Sequence, residues 1–113
     1  MPRLALSFAP ALGLLLAPTL AVAETLAGLY DVWGRNVDGA AYEGAAEVRD
    51  DGETITIFWD TTAGVYSGTG TRDGKVVLID WGADHFIVYT VMEDGELHGT
   101  WADGYALDRL SPQ

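Results

Sequence analysis

The sequence predicts an all-β fold: eight antiparallel strands in an up-and-down meander that closes into a small β-barrel, behind an N-terminal signal peptide. Three observations carry this. Apolar and polar residues alternate with period two in eight short runs, and no helical period follows Glu24. Turn-forming residues separate the runs, and five of the seven intervals carry Asp-Gly, at 38–39, 51–52, 73–74, 94–95 and 103–104. Asp-Gly is a favoured pair for the tight turn of a β-hairpin. The chain also has no cysteine, so a small exported domain must hold itself together by packing, sheet closure or oligomerisation.

The first residues, "MPRLALSFAPALGLLLAPTLAVAE", set one positive charge, Arg3, before an apolar run that ends on Ala21-Val22-Ala23. That is the layout of a secretory signal peptide with cleavage after Ala23. The run from Leu4 to Ala23 is about long enough to span a bilayer. Pro10 and Pro18 interrupt it, however, and no Lys/Arg cluster follows. The expected organisation is residues 1–23 as signal and 24–113 as one barrel domain, exported to the periplasm or beyond, with no stable membrane insertion. No cysteine follows the signal to carry a lipid. Loss of Arg3 leaves five basic residues against 17 acidic ones, a net charge of −12. Such a chain repels nucleic acid and anionic lipid, and attracts cations or basic partners.

The strands are expected in order at 29–35 ("LYDVWGR"), 41–48 ("AYEGAAEV"), 53–60 ("ETITIFWD"), 65–72 ("VYSGTGTR"), 75–81 ("KVVLIDW"), 85–93 ("HFIVYTVME"), 96–102 ("ELHGTWA") and 105–110 ("YALDRL"). Connections this short force neighbouring strands to be antiparallel. Eight is also the strand count at which a small barrel closes around its own side chains. Carboxylates beside glycines also occur in calcium loops, but those need acids at alternate positions and a distal Glu. No window here has that spacing, so the pairs read as turns and no metal site is expected.

Alternation assigns the interior to Tyr30 and Val32; Tyr42, Ala46 and Val48; Ile55, Ile57 and Trp59; Tyr66; Val77, Ile79 and Trp81; Ile87, Tyr89 and Val91; Leu97 and Trp101; Tyr105 and Leu107. Gly34, Gly44, Gly68, Gly70 and Gly99 share that face and leave room for large rings from other strands. In one reading the rings simply fill those spaces, which the short strands favour. In the other, Tyr42, Trp59, Tyr66, Trp81, Tyr89 and Trp101 line a cup for a small apolar or aromatic ligand. The opposite face is mostly Thr, Ser, Asp and Glu, but strands five and six break the pattern with Val76, Leu78, Phe86, Val88 and Met92, and Phe58 adds to it from strand three. Strands apolar on both faces are usually covered, so these six are the candidate contact surface for a second copy or a protein partner.

Catalytic groups are sparse. Neither His85 nor His98 has a nucleophile motif to serve, and "YSGTGTRDG" lacks the Lys and the strand-to-helix context of a phosphate loop. Asp31 and Asp80 are the only acids flanked by large apolar residues that suggest acid–base work. No catalytic residue and no cofactor is expected.

"GLYDVWGRNVDGAAYEG" has the form Gly-x-Tyr-x-Val-x-Gly-x-Asn-x-Asp-Gly-x-x-Tyr-x-Gly, and "VYSGTG", "DGELHGTWADG" and "LDRLSP" follow. In these motifs the chain resembles a family of small exported bacterial proteins commonly labelled fibronectin-binding. Asp108 stands where the family pattern leads one to expect Glu. The resemblance implies an exported β-rich domain and adhesion to a host matrix protein. The architecture is also similar to lipocalin-like and avidin-like barrels, without a ligand motif of either. The leading expectation is an exported, non-catalytic protein-interaction module acting through the outer patch, with homodimerisation. The alternatives are a carrier of a small ligand in the interior, and an inhibitor of a basic envelope enzyme such as a lysozyme.

Overall fold

The structure, a computed structural model, describes residues 24–113; the expected signal peptide lies outside the described residues. The strands are β1 (Gly28–Arg35), β2 (Ala41–Asp50), β3 (Ile55–Thr61), β4 (Gly64–Asp73), β5 (Val76–Asp80), β6 (Ile87–Val91), β7 (Leu97–Trp101) and β8 (Ala106–Pro112). Each pairs antiparallel with its neighbour in sequence, and β8 pairs with β1 to close the barrel. The glycines of all five Asp-Gly pairs have positive φ, between 59° and 92°, as tight turns require. Their aspartates are used locally. The carboxylates of Asp38, Asp51 and Asp94 accept backbone N–H groups of their own turns. For Asp51, the donors at Thr54 and Glu53 hold the carboxyl below its ordinary range.

Inside, the alternation holds through seven strands, except that Tyr66 of β4, expected inside, is 41% exposed at the open end. Val48, Ile55, Ile57, Val77, Ile79, Tyr89, Leu97 and Leu110 are almost wholly sequestered from solvent. Burying each aliphatic side chain is worth about 1.5–3 kcal/mol, which is what holds a cysteine-free barrel together. The N-terminal segment seals one end. Leu26 is buried in the core, its N–H donates to Asp50 Oδ2 at 2.9 Å, and its carbonyl accepts from Tyr30 Oη at 2.7 Å. Arg72 Nη1 ties down the Glu24 carbonyl beside it, at 2.7 Å.

β8 departs from the expected parity. Tyr105 and Leu107 lie outside, 77% and 46% exposed, while Ala106, Asp108 and Leu110 point inward. The cause is the pairing with β7. Trp101 pairs with Ala106, so residues 102–105 form the connection, with Ala102 and Asp103 both in the left-handed region at φ 51° and 57°. Directly opposed residues share a face, so inward Trp101 sets Ala106, and with it Asp108 and Leu110, inward. β6 is also shorter than expected at both ends. Its partner β5 spans Val76–Asp80 and pairs only Ile87 to Thr90, so Phe86 and Met92 fall in the flanking connections.

Candidate functional site

At the end opposite Leu26, the β1–β2, β3–β4, β5–β6 and β7–β8 connections surround a cavity of about 150 Å³ that opens to solvent. Its aromatic wall is Tyr42 from β2, Trp59 from β3, Tyr66 from β4, Trp81 just past β5, and Trp101 from β7. Four of these rings form a continuous arc packed edge to face. Tyr42 meets Trp101 at 6.4 Å, Trp101 meets Trp81 at 5.5 Å, and Trp81 meets Tyr66 at 5.9 Å between centroids. Aromatic pairs favour this geometry over face-to-face stacking, and it holds the four rings against one another. Trp81 is further held by donation from its indole N–H to the His85 carbonyl at 3.1 Å.

Five of the six aromatic residues that the sequence sets inward as a group therefore line one cavity, and the sixth, Tyr89, lies outside its lining. Tyr89 is fully buried and donates its hydroxyl to Asp108 Oδ2. From the other side the Tyr42 hydroxyl donates to Asp108 Oδ1 at 2.6 Å, and lies 2.9 Å from the Leu107 carbonyl. Trp101 Nε1 in turn donates to Tyr42 Oη at 3.1 Å. Asp108 lines the cavity yet is only 4% exposed.

The barrel register explains how two tyrosines reach one acid. Asp108 lies opposite Gly34 on β1 and Gly99 on β7. Gly34 is paired with Tyr42, and Gly99 with Tyr89. One row thus reads Tyr42, Gly34, Asp108, Gly99, Tyr89 across five strands, and each ring lies over its glycine. A Cβ on Gly34 would stand 2.1 Å from the Tyr42 ring, and one on Gly99 would stand 2.5 Å from that of Tyr89.

Burial raises the pKa of Asp108 above the ordinary carboxylate value, and donation from Tyr42, Tyr89 and Trp59 opposes the rise. Both tyrosines are pushed up, first by burial and then by the neighbouring carboxylate, so they stay protonated as donors. Sequence reasoning did not select Asp108, because the β8 parity error put it outside. The two interior glycines at 34 and 99 were the available signal.

Asp31 and Asp80, the acids singled out in the sequence, are exposed. Asp80 accepts the Gly82 N–H, and Asp31 accepts from the Gln113 side chain. His98 is exposed and pairs with Glu96 at 2.7 Å. The six expected contact residues are all at the surface, 37–50% exposed, but Phe58 stands apart from the β5–β6 residues. Leu78 pairs with Val88, whereas Phe58 is separated from them by the outward Ser67, Thr69 and Thr71 of β4 and lies under the Arg49 guanidinium at 4.7 Å. The true continuation runs the other way, from Leu78 and Val88 through Thr100 to Leu107.

No family model matches this sequence, and no curated protein or solved structure matches it at a significant level.

Proposed function

We propose that this chain is an exported binding protein that holds a small, largely apolar or aromatic ligand in the open cup of its barrel. The observation that supports this reading is the convergence of Tyr42, Trp59, Tyr66, Trp81 and Trp101 on one cavity. A barrel stabilised only by packing would gain more by filling that end, as the closed end is filled by Leu26. A volume near 150 Å³ is of the size that takes a benzene-sized ring, and the open mouth lets a longer substituent extend into solvent. The test is a tryptophan-fluorescence titration with single-ring compounds. A saturable change that Trp81→Ala abolishes supports the reading; no change with any of them refutes it.

A second reading, a protein-interaction surface, is favoured by the outer row from Leu78 through Val88 and Thr100 to Leu107. Adhesion, as the family resemblance implies, or contact with a second copy would use this face. Leu78→Asp should then remove the partner while the barrel stays folded.

A further inference from the structure

We infer that the ligand of the cup is an organic ammonium cation, with its apolar body against the aromatic wall and its charge directed toward Asp108. This rests on the reading of the cup as a ligand site and names the class of ligand.

The argument starts from an uncompensated charge. Asp108 is an acid more than nine-tenths buried, and among the described residues no cation approaches it. All five Lys and Arg side chains beyond residue 23 lie elsewhere. Arg35 and Arg109 stack on Trp33 outside the barrel, at 5.4 and 5.3 Å. Arg49 covers Phe58 and pairs with Glu47. Arg72 serves the closed end, and Lys75 is exposed in the β4–β5 turn. A buried acid without a counter-ion is costly, and proteins normally pair it or neutralise it. Here the groups that donate to it, the Tyr42 and Tyr89 phenols and the Trp59 indole, are all neutral, so they bring no positive charge to balance the acid.

The second half of the argument is the lining. Aromatic rings attract cations through their electron-rich faces, and desolvated cages of Trp and Tyr are a recurrent way to bind ammonium groups. Three tryptophans and two tyrosines surround this cavity, a composition chosen well for a cation and excessively for a hydrocarbon. Residues 24–113, with 5 basic and 17 acidic side chains, also draw cations to their surface before they enter the cup.

The experiment compares shape-matched pairs that differ in charge: choline against 3,3-dimethylbutan-1-ol, and benzylammonium against benzyl alcohol. Each is titrated against the purified protein by tryptophan fluorescence, at low salt and at about 0.5 M salt, where exposed charges are screened within a few Å. In both pairs the cation is expected to bind at least tenfold tighter, with the preference surviving high salt. Asp108→Asn is expected to bring the ratio close to one. If that variant does not fold, the wild-type ratio at high salt decides alone. Equal binding of the two members, or preference for the neutral one, overturns the inference and leaves the ligand cup standing. A preference lost at high salt also overturns it, as attraction by the acidic surface. Failure of all four compounds refutes the cup itself as a site.

Discussion

Tyr42 and Tyr89 approach the Asp108 carboxylate from opposite sides, each across a glycine of the strand between. Their rings occupy the space that a Cβ at Gly34 or Gly99 would take. The buried acid, its two donors and the two gaps form one unit, and the unit makes the floor of the cup. Its parts should therefore respond to substitution together.

Gly99→Ala sets a methyl 2.5 Å from Tyr89 Cδ1 and 3.0 Å from the Val88 carbonyl. Overpacking of this kind costs about 1–3 kcal/mol. Urea denaturation should show that loss. A Cβ at Gly34 would also meet the Leu107 carbonyl, at 2.5 Å, so Gly34→Ala should cost at least as much.

Removing a donor strands part of a buried carboxylate. Tyr89→Phe should destabilise the barrel by about 1.5–3 kcal/mol, the range for hydrogen bonds to charged groups. Tyr42→Phe should cost less, because the Tyr42 hydroxyl lies beside the open cup. The double variant should differ from the sum of the two, since both act on one acid. Additivity in equilibrium unfolding would argue against a shared network.

Asp108 also makes a prediction in pH. Its pKa in the folded barrel is raised, first by burial, so ionisation opposes folding. The contribution is fully present below the unfolded-state value and is lost as pH rises through the folded-state value. Tyr42 and Tyr89, which face it from β2 and β6, are protonated throughout and do not mask the effect. Wild-type stability minus that of Asp108→Asn should therefore fall as pH rises from about 3 toward 7. Thermal unfolding of both proteins over that range measures the difference, and a flat line would mean that the acid is not titrating in the fold.

The closed end should be structural. Leu26→Ala removes a buried side chain and should cost about 2–5 kcal/mol, without altering the relative affinities of cup ligands. A changed preference among them would mean that the two ends communicate.

The sequence and the structure agree where a feature depends on period or turn chemistry. Eight strands, closure in an up-and-down order and the turn role of Asp-Gly all follow from patterns local to a few residues. The aromatic cup was visible as a set of inward positions, because Trp59, Trp81 and Trp101 share a parity that Trp33 does not. Asp108 was missed because the face of β8 was assigned without its pairing to β7, where inward Trp101 stands opposite Ala106. Without that pairing, the acid falls on the solvent face and Leu107 inside. Leu26 was missed for a different reason. It belongs to no strand, and its burial depends on the distant Asp50 and Tyr30, which no local pattern reveals. Phe58 illustrates a third limit, since residues sharing an outward parity need not be neighbours across the sheet.

The four tryptophans provide the most direct test of the ligand cup. Three line the cavity, while Trp33 lies on the outer wall between Arg35 and Arg109. Their indole N–H signals can be followed separately by ¹⁵N-resolved nuclear magnetic resonance during titration with benzylammonium and benzyl alcohol. Binding in the cup predicts saturable shifts for Trp59, Trp81 and Trp101, with Trp33 unmoved. A response confined to Trp33, or no saturable response at any of the four, would contradict it.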